Sequence, residues 1–286
     1  MRLLNDDREC PALQPMIRKF LLLAMSILLM VTAPVLAEED VIEQGIAAFE
    51  VEDYARAYEL LKPKAHGGRP DAQYYLAIMY DRGLGIGEDD ERATKWFRAS
   101  ARSGHTLAQR TLAYSYYKGI GVTEDHEEAV KWYRRAAEAG DPAAQRSMAL
   151  HYKDGEGVER DYEEAAQWFR RAADQGDEFA QTELGRILWM GWGSVRRDRG
   201  QAIEWYKRAA HQGFDRGQYF YCSARIQTVR PQSEEMIDAL MWCRLAADQG
   251  HTGGQQNWDS AGRWFLSEDQ IEEAERRARA WEPEAL

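Results

Sequence analysis

The feature that most constrains this chain is an internal repeat. Trp96, Trp132, Trp168, Trp205 and Trp242 stand 36, 36, 37 and 37 residues apart. Gly68, Gly104, Gly140, Gly176, Gly213 and Gly250 keep the same interval. Ala72-Gln73 returns as Ala108-Gln109, Ala144-Gln145 and Ala180-Gln181, and Gly83/Gly85 as Gly119/Gly121, Gly155/Gly157 and Gly191/Gly193. Four registers sharing one period mean that a single supersecondary unit is copied along the chain. A unit this small buries its apolar face only against its neighbours.

Each unit reads as two antiparallel helices, A and B. Helix A of the first full unit is expected over 70–82, with Ala72, Leu76 and Tyr80 forming one apolar stripe. The Gly83-x-Gly85 turn ends it, because a helix C-terminus needs a residue at positive φ. Helix B starts at an acidic N-cap: Asp89, Asp125, Asp161 and Asp198 hold the same place, with Glu128 and Glu164 positioned for capping boxes. Ala93, Ala129, Ala165, Ala202 and Ala239 allow close helix approach, and the tryptophan three residues on is expected to fill the core between helices.

These residues resemble the Sel-1-like repeat family, a relative of the tetratricopeptide repeats. Residues 144–176, AQRSMALHYKDGEGVERDYEEAAQWFRRAADQG, follow its pattern closely, and the resemblance extends over about 41–266. It implies an all-α, right-handed superhelical solenoid of antiparallel helix pairs, about 36 residues per repeat. The expected organisation is a partial repeat at 38–68, five repeats over 69–250, and a partial repeat with a capping helix over 251–286. Ser267 and Gln270 are spaced for a capping box at the start of that last helix. The unit from Phe214 to Gly250 departs from the pattern, with Thr228-Val229-Arg230-Pro231 in place of the glycine turn.

Residues 1–37 read as a targeting segment. An apolar run, Phe20 to Val31, follows Arg18 and Lys19 and precedes Val35-Leu36-Ala37, the order of a secretory signal peptide. Asp6, Asp7 and Glu9 do not suit such a signal, so Met16 is the expected true start. The run is short for a membrane span, which takes about 20 apolar residues. The expected compartment is the periplasm, with no membrane span after cleavage.

The formal charge of −11 excludes a binder of nucleic acid, whose phosphates need a basic surface. Three cysteines exclude a disulfide-built scaffold or a cysteine-rich zinc module. Cys10 leaves with the signal segment. Cys222 stands at a small-residue place of helix A and Cys243 at the aromatic place after the tryptophan, both turned toward the partner helix. An oxidising compartment allows a disulfide between them; the alternative is two buried thiols.

No catalytic residue, metal or cofactor is expected. Ser115-x-x-Lys118 matches the serine–lysine pair of penicillin-recognising enzymes, but no S-D-N or K-T-G element accompanies it. His126-Glu127 begins like a zinc-protease motif, but Val130 holds the place of the second histidine.

The resemblance implies an adaptor or regulator with no shared catalytic centre, in which helix A lines a concave face. The partner-binding positions are then Arg110, Tyr114, Tyr117, Lys118, Arg146, Lys153, Arg186 and Trp189. Against this basic set Asp154 is the one acid at the corresponding places of the three middle units. The expected partner is a protein or an acidic peptide segment of the cell envelope, gripped by two-pronged arginine bonds and aromatic walls. Two alternatives remain: a penicillin-interacting hydrolase, by family association only, and a glycan binder using Trp189 and Trp192.

Overall fold

The computed structural model describes residues 41–283; the expected signal segment lies outside them. Every regular element among the described residues is α-helical. The chain divides into two compact units, Met1–Ser103 and Gly104–Leu286.

The first unit holds α1 (residues 41–50), α2 (Tyr54–His66), α3 (Pro70–Arg82) and α4 (Asp90–Arg102). Its core gathers Ile42, Leu61, Leu76 and Met79 with the small residues Ala57, Ala65 and Ala72. The second holds α5 (Thr106–Lys118), α6 (His126–Glu138), α7 (Pro142–Asp154), α8 (Tyr162–Asp174), α9 (Glu178–Met190), α10 (Arg199–His211), α11 (Asp215–Ile226), α12 (Glu234–Asp248), α13 (Thr252–Phe265) and α14 (Glu268–Ala280). It is a solenoid of helix pairs. α5, α7, α9 and α11 are the A helices; α6, α8, α10 and α12 are their B helices.

The helix ends follow from local chemistry. Asp89, Asp125, Asp161 and Asp198 cap α4, α6, α8 and α10, each accepting from a backbone amide of the first turn. The reciprocal half expected from Glu128 is not made. The Asp125 amide already donates to the Tyr116 carbonyl (2.9 Å), and the Glu128 carboxylate instead accepts from Trp132 Nε1 (3.0 Å) and Lys131 Nζ (3.0 Å). Gly83, Gly119, Gly155 and Gly191 end the A helices in the left-handed conformation. Gly157 has a second reason to be glycine. At φ +70° it lies against the start of α6, where a Cβ would run into the His126 carbonyl.

The small positions Ala129, Ala165 and Ala202 are fully buried, and Trp132, Trp168 and Trp205 pack beside them with 5–6% exposed. The recurring glutamine ties neighbouring helices together. Gln145 Nε2 donates to Ala137 O (3.1 Å) and Gln181 Nε2 to Ala173 O (3.1 Å). Their side-chain oxygens accept from the glutamines that follow α8 and α10: Gln175 to Gln145 (2.8 Å) and Gln212 to Gln181 (2.8 Å). In Gln145 and Gln181 both ends of the buried amide are therefore satisfied, as burial of a polar group requires.

The irregular unit is held from outside its own turn. Gln232, at φ +61°, donates its amide to Phe265 O (3.1 Å) and accepts from Gln270 Nε2 (3.2 Å) through its carbonyl. Gln270 Oε1 in turn accepts from the Ser267 amide (3.1 Å), in a capping box at the head of α14. Cys222 and Cys243 are both fully buried and form a disulfide across α11 and α12, with their Cα atoms 5.4 Å apart. Arg277 of α14 pairs with Glu234, Asp238 and Glu273, which fixes the last helix on α12.

Candidate functional site

The A helices of the second unit bring Arg110, Tyr114, Tyr117 and Arg146 to one open cavity of about 670 Å³ between α5 and α7. Tyr133 of α6, Leu150 and His151 of α7, and Glu156 of the following turn complete its wall. Tyr114 is 48% exposed, a large aromatic surface left to solvent at the mouth. Arg186 and Trp189 lie instead in a smaller cavity of about 280 Å³ with Met190, Trp192, Tyr206 and Phe220. Lys118 and Lys153 line neither cavity. The Lys118 ammonium sits 4.4 Å from the Tyr117 ring centroid, and Lys153 points to Glu183.

The electrostatics differ from the expected basic face. Arg110 Nη1 donates to Asp141 Oδ2 at 2.8 Å, and Arg146 Nη1 to Asp177 Oδ2 at 2.7 Å. These aspartates are the N-caps of α7 and α9, accepting through Oδ1 from the amides of Ala144 (2.7 Å) and Ala180 (2.8 Å). Glu183, 1% exposed, answers three more cations: Arg186 (2.7 Å), Arg216 (3.2 Å) and Lys153 (3.3 Å). The acids that answer these arginines do not stand at the like places along helix A: Asp141 and Asp177 lie one repeat downstream, and Glu183 falls on the core side. The visible signal was an Arg–Asp pair recurring at 31 residues.

Burial sets the protonation of the cavity floor. Tyr133 is pushed up to about 12 by desolvation, against a hydrogen bond with Ser147 that lowers it. It remains a neutral phenol at any ordinary pH. Burial holds His151 below the usual imidazole value, although its Nδ1 contact with the Glu156 carbonyl (2.8 Å) acts the other way. Burial also raises Asp177, more than the Ala180 amide and Arg146 lower it. At the other end of the cavity from the two arginines stand Asp154 and Glu156, so the groove runs from a basic rim, through aromatic walls, to an acidic one.

The serine–lysine motif is not assembled for nucleophilic attack. Ser115 is 4% exposed and its hydroxyl donates back to Thr111 O (3.2 Å), while Lys118 rests on Tyr117. The indoles considered for sugar stacking already carry cations: Arg199 lies 4.8 Å over Trp189 and Arg186 5.3 Å over Trp192. Among the described residues, no group of three or more metal-ligating side chains gathers, and no helix is long and apolar enough to cross a membrane.

Comparison with known proteins fits this repeat geometry. The Sel1 repeat family model matches residues 70–105, 106–141, 142–177, 179–214 and 229–251. A Sel1 repeat protein from Oxalobacter formigenes is similar at 29% identity and a TM-score of 0.71, over 84% of this chain and 100% of that one. The protein c5321, a protective antigen of uropathogenic Escherichia coli strains with an SLR fold, is similar at 28% identity and a TM-score of 0.51. That match covers 85% of this chain and 61% of c5321. No protein of the curated collections matches.

Proposed function

The chain belongs to the Sel1 repeat family, and from that premise we propose that it is an exported, non-catalytic scaffold whose helix-A face holds a protein or peptide partner in the cell envelope. The observation that carries this reading is the cavity between α5 and α7, with half-exposed Tyr114 at its mouth and Tyr133 and Leu150 behind it. Aromatic side chains around a concavity supply anchoring area at low entropic cost. Arg110 and Arg146 remain 36% and 37% exposed, and a guanidinium has five donors, so each keeps hydrogen bonds to give. Their charge is already matched by Asp141 and Asp177. The partner segment is then chosen mainly by an apolar or aromatic anchor, with an acidic group toward Arg110 and Arg146. A basic group would lie toward Asp154 and Glu156. Lys118, Lys153, Arg186 and Trp189 would extend this contact along the same face.

The disulfide supports location outside the cytoplasm, since such bonds form and persist in oxidising compartments. The test is co-purification from cells of wild type and of Tyr114→Ala/Leu150→Ala, each with its helical content and melting checked. A discrete protein held by wild type and lost by the double variant supports the groove. Equal retention by a folded double variant removes it.

A further inference from the structure

Among the B helices of the five full repeats, α10 breaks an electrostatic rule that the others obey. The first turns of α4, α6, α8 and α12 carry Asp90/Glu91, Glu127/Glu128, Glu163/Glu164 and Glu234/Glu235, which suit the positive end of the helix dipole. The first turn of α10 has no acid and begins with Arg199. The loop before it is one residue longer than its counterparts and places Arg196 and Arg197 ahead of the cap Asp198. These arginines and Arg170 of α8 line one open cavity of about 610 Å³.

The ion pairs of the described residues take up Arg110, Arg146, Arg186, Arg216, Arg244 and Arg277 but none of these four. Asp198 lines the same cavity, and its carboxylate, which accepts from the amide and the side chain of Gln201 (both 2.9 Å), feels the charge of Arg196. One carboxylate leaves four guanidinium groups with a net positive charge. Three of the guanidinium groups are nonetheless held in place. Arg197 Nε donates to Trp189 O (2.8 Å), Arg199 stacks on Trp189, and Arg170 lies 5.5 Å over Trp205 and donates to Gln201 Oε1 (3.3 Å). They are fixed without losing charge. In a chain of net charge −11 that is an arrangement made for an incoming anion. An adjoining cavity shares Arg170, Leu188 and Arg196 and adds an aliphatic floor from Ala166, Leu184 and Val195.

We propose that this arginine-rimmed trough, between α8 and α10 and apart from the helix-A groove, is a second docking surface. Its occupant is an acidic segment of a partner protein, with aliphatic side chains next to its carboxylates. Guanidinium forks match carboxylates bidentately, and the aliphatic floor takes the neighbouring side chains. A membrane surface fits less well. The whole chain is acidic and Glu163 lines the trough beside the arginines, so a sheet of anionic headgroups would be repelled where a single segment is not.

The test is fluorescence anisotropy of the labelled peptide EELLEELLEE at about 50 mM salt, where screening is weak. The reversed-charge peptide KKLLKKLLKK is the control, and Arg196→Glu/Arg199→Glu and, as a charge reversal outside both grooves, Lys131→Glu on α6 are the variants. Wild type and Lys131→Glu are expected to bind the acidic peptide alike, with binding at least tenfold weaker in the arginine variant. Arg199→Glu alone is expected to melt no lower than wild type, because it restores an acid at the helix start. Three results overturn the proposal. They are no binding by wild type, unchanged binding by the folded arginine variant, and binding lost equally in Lys131→Glu. A parallel arm with phosphatidylcholine vesicles containing phosphatidylglycerol covers the membrane case. Vesicle binding that depends on Arg196 and Arg199, without peptide binding, also overturns it.

Discussion

Asp141 serves two helices with one carboxylate: Oδ1 accepts the Ala144 amide at 2.7 Å as the cap of α7, and Oδ2 accepts Arg110 Nη1 from α5 at 2.8 Å. Arg146 and Asp177 repeat the arrangement one unit on. The cap is therefore also the staple between repeats. Asp141→Ala should cost about 1–2 kcal/mol for the cap, and more than Arg110→Ala, which leaves the cap in place. Urea denaturation of the two single variants and the double gives the order. A coupling of well under 1 kcal/mol is expected for the ion pair itself, since Arg110 is about one-third exposed.

Glu183 is a buried carboxylate among Arg186, Arg216 and Lys153. Glu183→Gln keeps the shape and removes the charge that these cations share. Loss of one member of a buried ionic set costs about 3–5 kcal/mol. The partial exposure of Arg186 and Arg216 places this case at or below the lower end of that range. Chemical denaturation with the three cations left intact measures it.

His151 predicts an acid sensitivity. Its folded pKa lies below the ordinary value because of burial, with His126 adding to the depression and Glu156 and Asp154 opposing it. The unfolded chain then takes up the proton first as pH falls through about 6.5, and stability drops over that window at no more than about 1.4 kcal/mol per pH unit. Asp177, raised by burial, contributes with the opposite sign at lower pH. The difference between wild type and His151→Gln isolates the histidine. Wild type should lose more stability between pH 7.5 and 5.5 than the variant.

The Cys222–Cys243 bond closes a separation of 21 residues around a turn without the glycine pair. Its reduction should lower stability by about 2–4 kcal/mol. Melting with and without dithiothreitol, beside Cys222→Ala/Cys243→Ala, checks this. A reductant effect that persists in the double variant would show that the bond is not its source.

What was legible in the sequence was whatever one helix decides for itself. The span Pro70–Arg82, the aspartate caps and the glycine C-caps follow from residues within a turn of each other. The pairing of Cys222 with Cys243 was legible as one of two alternatives, because the repeat register set both on facing helices. The contacts between repeats were not. Arg110 and Asp141 are 31 residues apart, and either alone reads as an ordinary surface charge. The same blindness made Arg110, Arg146 and Arg186 look like free cations. The capping box expected from Glu128 failed for a related reason, since the Asp125 amide is taken by Tyr116 across the glycine turn, whereas the box at Ser267 and Gln270 lies within one turn and formed.

Whether a partner sits in the groove between α5 and α7 is decided by in-cell photo-crosslinking from position 114. Tyr114 would be replaced by a photoreactive phenylalanine, with Lys131, 64% exposed on α6, as the control position. A groove-bound partner gives a discrete protein adduct from 114, identifiable by mass spectrometry, and none from 131. Adducts from 131 with none from 114 would rule out the groove and move the partner to the helix-B face.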